Sequence, residues 1–148
     1  MSDAWTKTVE VRFGDADQAG IAYYPRIYDF IHQAMEDFFA GQCGASYPEL
    51  ITERGLGFPL VKSEVEFTTP LRFGDTATIA VTTTKVGNSS IGMRYRFLVG
   101  ERECLDARMV VCCIDMKTLA PVPVPDGRPG DRRSSAGPRP RPPWACPP

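Results

Sequence analysis

Histidine is nearly absent from this sequence: His32 is the only one, and no cysteine pair stands at CxxC spacing near it. A zinc site of mixed Cys and His ligands is therefore not expected, and no metal is assigned. The five cysteines (Cys43, Cys104, Cys112, Cys113 and Cys146) read as reduced thiols of a cytoplasmic protein rather than a disulfide frame. No apolar run approaches the ~18 residues that a membrane-spanning helix needs. The opening MSDAWTKTVEVRF lacks a basic segment followed by an apolar one, so no secretory signal is expected. Strong charge of one sign is missing too. The net charge is −1, and it divides unevenly. Residues 126–148 carry Arg128, Arg132, Arg133, Arg139 and Arg141 against Asp126 and Asp131, which leaves the remainder mildly acidic. An acidic body argues against a nucleic-acid-binding domain.

What is present suits one ordinary domain. At 148 residues, with 43% hydrophobic and 24% charged, the chain is long enough to bury a core of its own. The spacing predicts that this domain spans 1–125. Residues 126–148, dense in Pro and Arg, lack the apolar side chains to repay their ordering entropy, and the composition predicts disorder there.

Residues 5–13 alternate as a half-buried strand, and GDADQAG after Phe13 reads as a loop. A helix is predicted from Pro25 to about Ala40, with Ile27, Phe30, Ile31, Ala34, Met35, Phe38 and Phe39 on one face. Pro25 suits its first position and Gly41 its stop. A shorter helix is predicted over Ser46–Arg54, opened by capping-box spacing between Ser46 and Glu49. Strand patterns then occupy 61–67, 76–86, 91–99 and 103–115, with Gly87-Asn88 as a hairpin turn. One long helix laid on an antiparallel meander is an α+β layer arrangement.

Two carboxylates, Asp15 and Asp17, stand in the glycine-bearing loop that feeds the long helix. The first turn of a helix offers unpaired N–H groups and the positive end of the macrodipole. Such donors can hold the oxyanion that develops when a carbonyl is attacked. A carboxylate beside them can attack that carbonyl or activate water. Gly20 would let backbone approach a ligand closely. An Asp before a helix is also a common cap, so spacing alone leaves both roles open. Two carboxylates fall short of a calcium loop.

The segment FGDADQAGIAYYPRIYDFIHQAMEDFF resembles the active-site segment of the 4-hydroxybenzoyl-CoA thioesterase family of hotdog-fold proteins. GLGFPLVKSEVEFTTPLRFGDTATI resembles the same family's second strand and its P-L-R-F-G-D turn, and the likeness extends over about residues 6–120. The resemblance implies a hotdog fold: a long central helix wrapped by a curved antiparallel sheet of about five strands. It implies an acyl-CoA thioesterase acting on a 4-hydroxybenzoyl-CoA-like or short- to medium-chain ester. Asp17 is implied as the catalytic carboxylate and the Tyr24 amide as the group polarising the thioester carbonyl. Gly20, Tyr23, Ser89 and Ser90 are implied as substrate-binding positions. No cofactor is implied beyond coenzyme A, which is part of the substrate. A homodimer or homotetramer with active sites at subunit interfaces is implied, with no nucleic acid and no membrane span. In some relatives arginines for the nucleotide phosphates occupy the turn that here reads Gly87-Asn88-Ser89-Ser90; Arg94, Arg96 and Lys62 are the nearest substitutes.

Two other readings compete with hydrolysis. A hotdog enoyl-CoA hydratase or dehydratase would use a histidine with an acidic partner, and His32 lies mid-helix, away from the loop. A non-catalytic acyl-CoA-binding scaffold would bind esters without turnover. Tyr23, Tyr28, Phe38 and Phe39 read as core or pocket wall, Asp75 as a turn residue, and Cys112-Cys113 as strand neighbours facing opposite ways.

Overall fold

The computed structural model describes residues 4–125; the Pro/Arg-rich stretch 126–148 lies outside them. β1 (Trp5–Glu10) leads through a 3₁₀ turn (Phe13–Asp15) to α1 (Tyr24–Cys43). A π-helical turn (Glu49–Glu53) and β2 (Leu56–Gly57) precede β3 (Leu60–Phe67), β4 (Thr76–Val86), β5 (Ser90–Val99), β6 (Arg102–Cys112) and β7 (Ile114–Asp115). The main sheet is antiparallel in the order β1-β4-β5-β6-β3, and β2 pairs with β7 in a small second sheet. This is the α+β arrangement of one long helix on a five-stranded sheet.

Sheet register brings apolar side chains into line on one face. Ile79 of β4 stands opposite Phe97 of β5, which stands opposite Leu105 of β6; Val81, Tyr95 and Ala107 form the next row. All six are buried. Onto this face α1 lays Ile27, Phe30, Ile31, Ala34, Met35, Phe38 and Phe39, each buried. Full burial of such aliphatic and aromatic side chains stabilises by about 1.5–3 kcal/mol apiece before entropy is counted. Phe39 also packs edge-on against Phe58 at 5.3 Å, and Phe38 against Trp5 at 5.7 Å. Register shifts at Leu60/Lys62, Thr83/Lys85 and Phe97/Leu98 bend the sheet around the helix, as bulges do.

Several predicted boundaries are corrected. The first strand ends at Glu10 rather than 13, because Phe13–Asp15 turns back on itself. The long helix runs past Gly41 to Cys43, and Gly44, at φ 72°, takes the left-handed cap. Gly41 serves close packing instead: a Cβ there would stand 3.2 Å from Trp5 Nε1. The short helix is π-wound over Glu49–Glu53, although Ser46 Oγ does accept from the Glu49 N–H at 3.2 Å. The last predicted strand is broken at Cys113, and its tip leaves the main sheet to pair with β2.

The outer sheet face carries charge. Arg94 donates to both oxygens of Asp106, at 3.0 and 2.6 Å, and Arg96 pairs with Glu103. The two arginines are thus engaged by carboxylates of the neighbouring strand. The hydrogen bonds from Arg94 hold the Asp106 carboxyl below its ordinary range, although partial burial opposes them. That depression exists only in the folded chain. Its stabilisation is present above the unfolded value, about 4, and is lost as pH falls through the lower folded value. Asp106→Asn should therefore lower the urea midpoint at neutral pH and flatten its decline in acid. Identical pH profiles for variant and wild type would show that the pair contributes no linkage.

Candidate active site

The segment between Val11 and α1 is tied down by its own aspartates. Asp15 Oδ2 accepts from the Arg12 N–H at 2.9 Å, closing the 3₁₀ turn, and Asp15 Oδ1 lies 3.4 Å from Arg26 Nε on α1. Its backbone oxygen accepts from the Tyr23 N–H at 3.3 Å. Asp15 is committed on every side to holding the loop against the helix.

Asp17 is held differently. Its N–H donates to Ile21 O at 2.9 Å, its carbonyl accepts from the Gly20 N–H at 2.9 Å, and Oδ1 accepts from the Ala19 N–H at 2.9 Å. The carboxylate is oriented by that Asx turn and stays exposed. Gly20 closes the turn at φ 79°, a left-handed conformation that side chains resist.

The loop is fastened to the turn before β4. The Ala22 N–H donates to Leu71 O at 2.8 Å, and the Phe73 N–H to Gly20 O at 2.9 Å. Asp75 shapes that turn by accepting from the Arg72 N–H at 2.8 Å. These bonds set Asp17 beside the start of α1.

Tyr23 caps α1 with extended backbone, and Tyr24 and Pro25 are its first residues. The amides of Arg26 and Ile27 both donate to Tyr23 O, at 3.0 and 3.4 Å. Pro25 has no N–H. Among the described residues the Tyr24 N–H alone of this first turn donates to no acceptor. Pro25, predicted for the first helical position, stands at the second, where it removes a competing donor and leaves the Tyr24 amide at the positive end of a 20-residue helix.

Asp17, Tyr23 and Tyr24 line one cleft of about 410 Å³. Ile27 of α1 and Phe67, Pro70, Leu71 and Leu105 supply its apolar walls. A residue with an oriented carboxylate and a residue with a free helix-terminal amide thus line one largely apolar recess, and carboxylate and amide are the two kinds of group that attack on a carbonyl requires.

Ser89 and Ser90 lie elsewhere. Ser90 stands opposite Cys112 at the far end of β6, about 23 Å of strand from Leu105 at ~3.3 Å per residue. One chain therefore does not bring these serines to Asp17. His32 is exposed, with Nδ1 2.9 Å from Glu36 Oε2 one turn along. The Cys113 thiol is pushed up to about 11 by burial and by neighbouring Cys112, so it is no thiolate nucleophile at neutral pH. Among the described residues no three His, Cys, Asp or Glu side chains are placed to hold a metal ion, and no helix is long and apolar enough to cross a membrane.

Sequence reasoning did not find two features. Arg26 as the partner of Asp15 was open to discovery, since it falls on the first helical turn facing the loop. The second was a larger cavity of about 580 Å³ farther along α1, between Tyr28, Ile31 and Met35 and the start of β3. No motif marks it, because it forms where distant elements fail to meet.

Residues 11–128 match the family model of the thioesterase-like superfamily. A 1,4-dihydroxy-2-naphthoyl-CoA hydrolase of Thermosynechococcus vestitus is 28% identical over 127 residues, covering 84% of this chain and 86% of the relative. A protein of that same name from Prochlorococcus marinus is 26% identical over 121 residues, covering 79% and 81%. The structure of a gentisyl-coenzyme A thioesterase superposes with a TM-score of 0.76 at 29% identity, covering 82% of this chain and 96% of that one.

Gly20→Ala should cost about 1–2 kcal/mol, the penalty of a left-handed L-residue, and should move Asp17 with the turn. Thermal unfolding checks the first effect and thioester turnover the second. Unchanged melting would mean that the turn tolerates a side chain at this φ.

Proposed function

The chain belongs to the thioesterase-like superfamily of hotdog-fold thioester hydrolases, and on that premise we propose that it cleaves an aryl-CoA thioester to the free acid and coenzyme A. One observation carries the reading: Asp17, whose carboxylate is oriented by the Ala19 amide, and Tyr24, whose own amide is free, line the same largely apolar cleft. The substrates named for the relatives, 1,4-dihydroxy-2-naphthoyl-CoA and gentisyl-CoA, carry aromatic acyl groups and favour an aromatic ester here. A 4-hydroxybenzoyl group belongs to the same class.

In this reading the thioester carbonyl oxygen accepts from the Tyr24 N–H, and the helix terminus stabilises the negative charge that grows on it. Asp17 either attacks the carbonyl carbon or takes a proton from a water that attacks. The C–S bond then breaks, the electron pair leaves on sulfur, and the thiolate is protonated to the free thiol. In the first route water afterwards hydrolyses the Asp17 anhydride and restores the carboxylate. No cofactor beyond the coenzyme A of the substrate takes part. Gly20 and Tyr23 shape the entry to the cleft, and Ser89 and Ser90 could serve only a site built with another chain.

The working unit we propose is a homodimer, or a tetramer of two such pairs, acting in the cytoplasm. Among the described residues β3 is an edge strand that pairs with β6 alone, and its Leu60, Val61 and Phe67 are 49%, 60% and 54% exposed. An open apolar edge of this kind invites a second strand. Phe67 both lies on that edge and lines the cleft, so a second chain there would border the active site. The hydratase reading is disfavoured because His32 does not line the Asp17 cleft.

Asp17→Asn should lower kcat at least ~100-fold in a thiol-release assay while retaining ester binding, as loss of a nucleophile or base does. Near-wild-type turnover would sink the role; binding without turnover in the wild type would favour a scaffold. The amide has its own test. Proline fits the first position of a helix but carries no N–H. Tyr24→Pro should therefore fall about 10²-fold below Tyr24→Ala, the loss expected for an oxyanion donor. Equal rates in these two variants would remove the Tyr24 amide from the mechanism.

A further inference from the structure

The cleft and the larger cavity are both lined by α1 and β3. On α1, Tyr24 and Ile27 line the first, while Tyr28, Ile31 and Met35 line the second. On β3 the order runs the other way: Phe67 lines the first compartment and Leu60 the second. Between them Tyr28 Oη and Ser63 Oγ stand 3.2 Å apart, a hydrogen bond that joins helix to strand. Tyr28 is the first α1 residue of the far compartment met from the catalytic end. It stands about 6 Å beyond Tyr24 along the helix axis, and Ile31 about 10 Å, at 1.5 Å per residue.

The far compartment is built to take a ligand. Its walls are almost wholly apolar, with Ile31, Met35, Met109 and Val111 among them. Tyr95, only 1% exposed and carrying a phenol hydroxyl, is also among its lining residues. That hydroxyl has as its partner the Met93 sulfur at 3.4 Å, a weak acceptor. Burial raises its ionisation far above the ordinary tyrosine value, so it is a neutral donor.

We propose that Tyr28, held by Ser63, is the specificity-determining partition between cleft and cavity, confining compact acyl groups to the Asp17 cleft and controlling entry of longer ones into the compartment beyond. The inference rests on the thioesterase reading, because the occupant is the acyl group of the thioester. On this proposal a single aromatic ring attached at the carbonyl stays on the Asp17 side of Tyr28. An acyl group as long as dodecanoyl reaches past it and must displace the tyrosine and break its hydrogen bond. The bond is between neutral groups, one of them exposed, and its net contribution is small. It therefore works as a bias on acyl length rather than a seal.

The experiment compares kcat/KM for 4-hydroxybenzoyl-CoA and dodecanoyl-CoA across the wild type, Tyr28→Ala, Tyr28→Phe and Ser63→Ala. The readout is the ratio of dodecanoyl to 4-hydroxybenzoyl. Tyr28→Ala should raise it at least about tenfold, the scale of discrimination a pocket wall gives through a few methylenes. Tyr28→Phe and Ser63→Ala, which lose only the hydrogen bond, should raise it about threefold. Adding Leu60→Trp to Tyr28→Ala refills the far compartment from its β3 wall and should reverse the gain. A ratio within about twofold of wild type in folded Tyr28→Ala, or a gain that Leu60→Trp leaves intact, overturns the proposal. Should Tyr28→Ala fail to fold, the two conservative variants decide, and an unchanged ratio in both overturns it. A wild type that hydrolyses neither ester sinks the functional reading instead. The partition is then tested by calorimetric binding of the dodecyl and 4-hydroxyphenacyl thioethers of coenzyme A to the same variants, with the same ratio expected.

Discussion

The packing of Ile27, Phe30, Ile31, Ala34, Met35, Phe38 and Phe39 against the inner face of the sheet holds α1 as a rigid rod across β4, β5 and β6. An isolated helix of this length would be marginal in water, and most of its stability comes from that buried face. The consequence is positional. Once the stripe is seated, the start of the helix can lie in only one place, beside the turn that precedes β4. The Tyr24 amide is fixed by packing that runs the length of the helix, not by any contact of its own. A donor fixed in this way need not reorganise as charge develops on an acceptor, and that is the condition under which such donors are most effective.

The loop then divides its two aspartates between holding and facing outward. Asp15 spends one oxygen on the Arg12 amide and sets the other near Arg26, so it has become part of the scaffold. Asp17 spends one oxygen on the Ala19 amide, enough to orient the carboxylate, and keeps the other clear of protein donors among the described residues. The backbone bonds from Ala22 and Phe73 to the turn before β4 keep this arrangement in register with the sheet. Chemically identical residues two positions apart thus differ in what their oxygens are already doing.

Local rules carried far in reading this chain. The helix stripe, the alternating strands and the Asp-x-Asp loop follow from periods of 3.6 and 2 and from turn chemistry, and the structure shows each of them. Where the reading failed, tertiary contact overrode local preference. Gly41 looks like a stop but is a glycine because the Trp5 indole lies against it. Cys113 lies inside a strand pattern, yet the chain leaves the sheet there to pair Ile114 with Gly57, more than fifty positions earlier. Ser89 and Ser90 were expected from the place of the family's phosphate turn and from the capacity of hydroxyls and turn amides to bind phosphate, and their distance from Asp17 is set by the lengths of β5 and β6. The far compartment could not be read at all. A cavity is a property of what several elements leave unfilled, and no single segment encodes it.

An exposed site on an otherwise well-packed domain poses a physical problem. Asp17 is exposed, and Tyr24 is 69% exposed in the single chain. Water competes for a helix-terminal amide in that setting, and a hydrogen bond to a developing oxyanion is worth far more where water is excluded. The cleft is bounded by α1 on one side and by β3 on the other, and among the described residues β3 has no neighbour on its outer edge. Its Val61 and Phe67 are exposed apolar residues on that edge, in a molecule whose other sheet surfaces carry paired charges. Strand addition at β3 would satisfy the open backbone edge, bury those side chains and wall the groove with a single event. The edge that is a liability for a lone chain is thus the same feature that would complete a dry site, which gives a physical reason for the open strand and the Asp17 cleft to share Phe67.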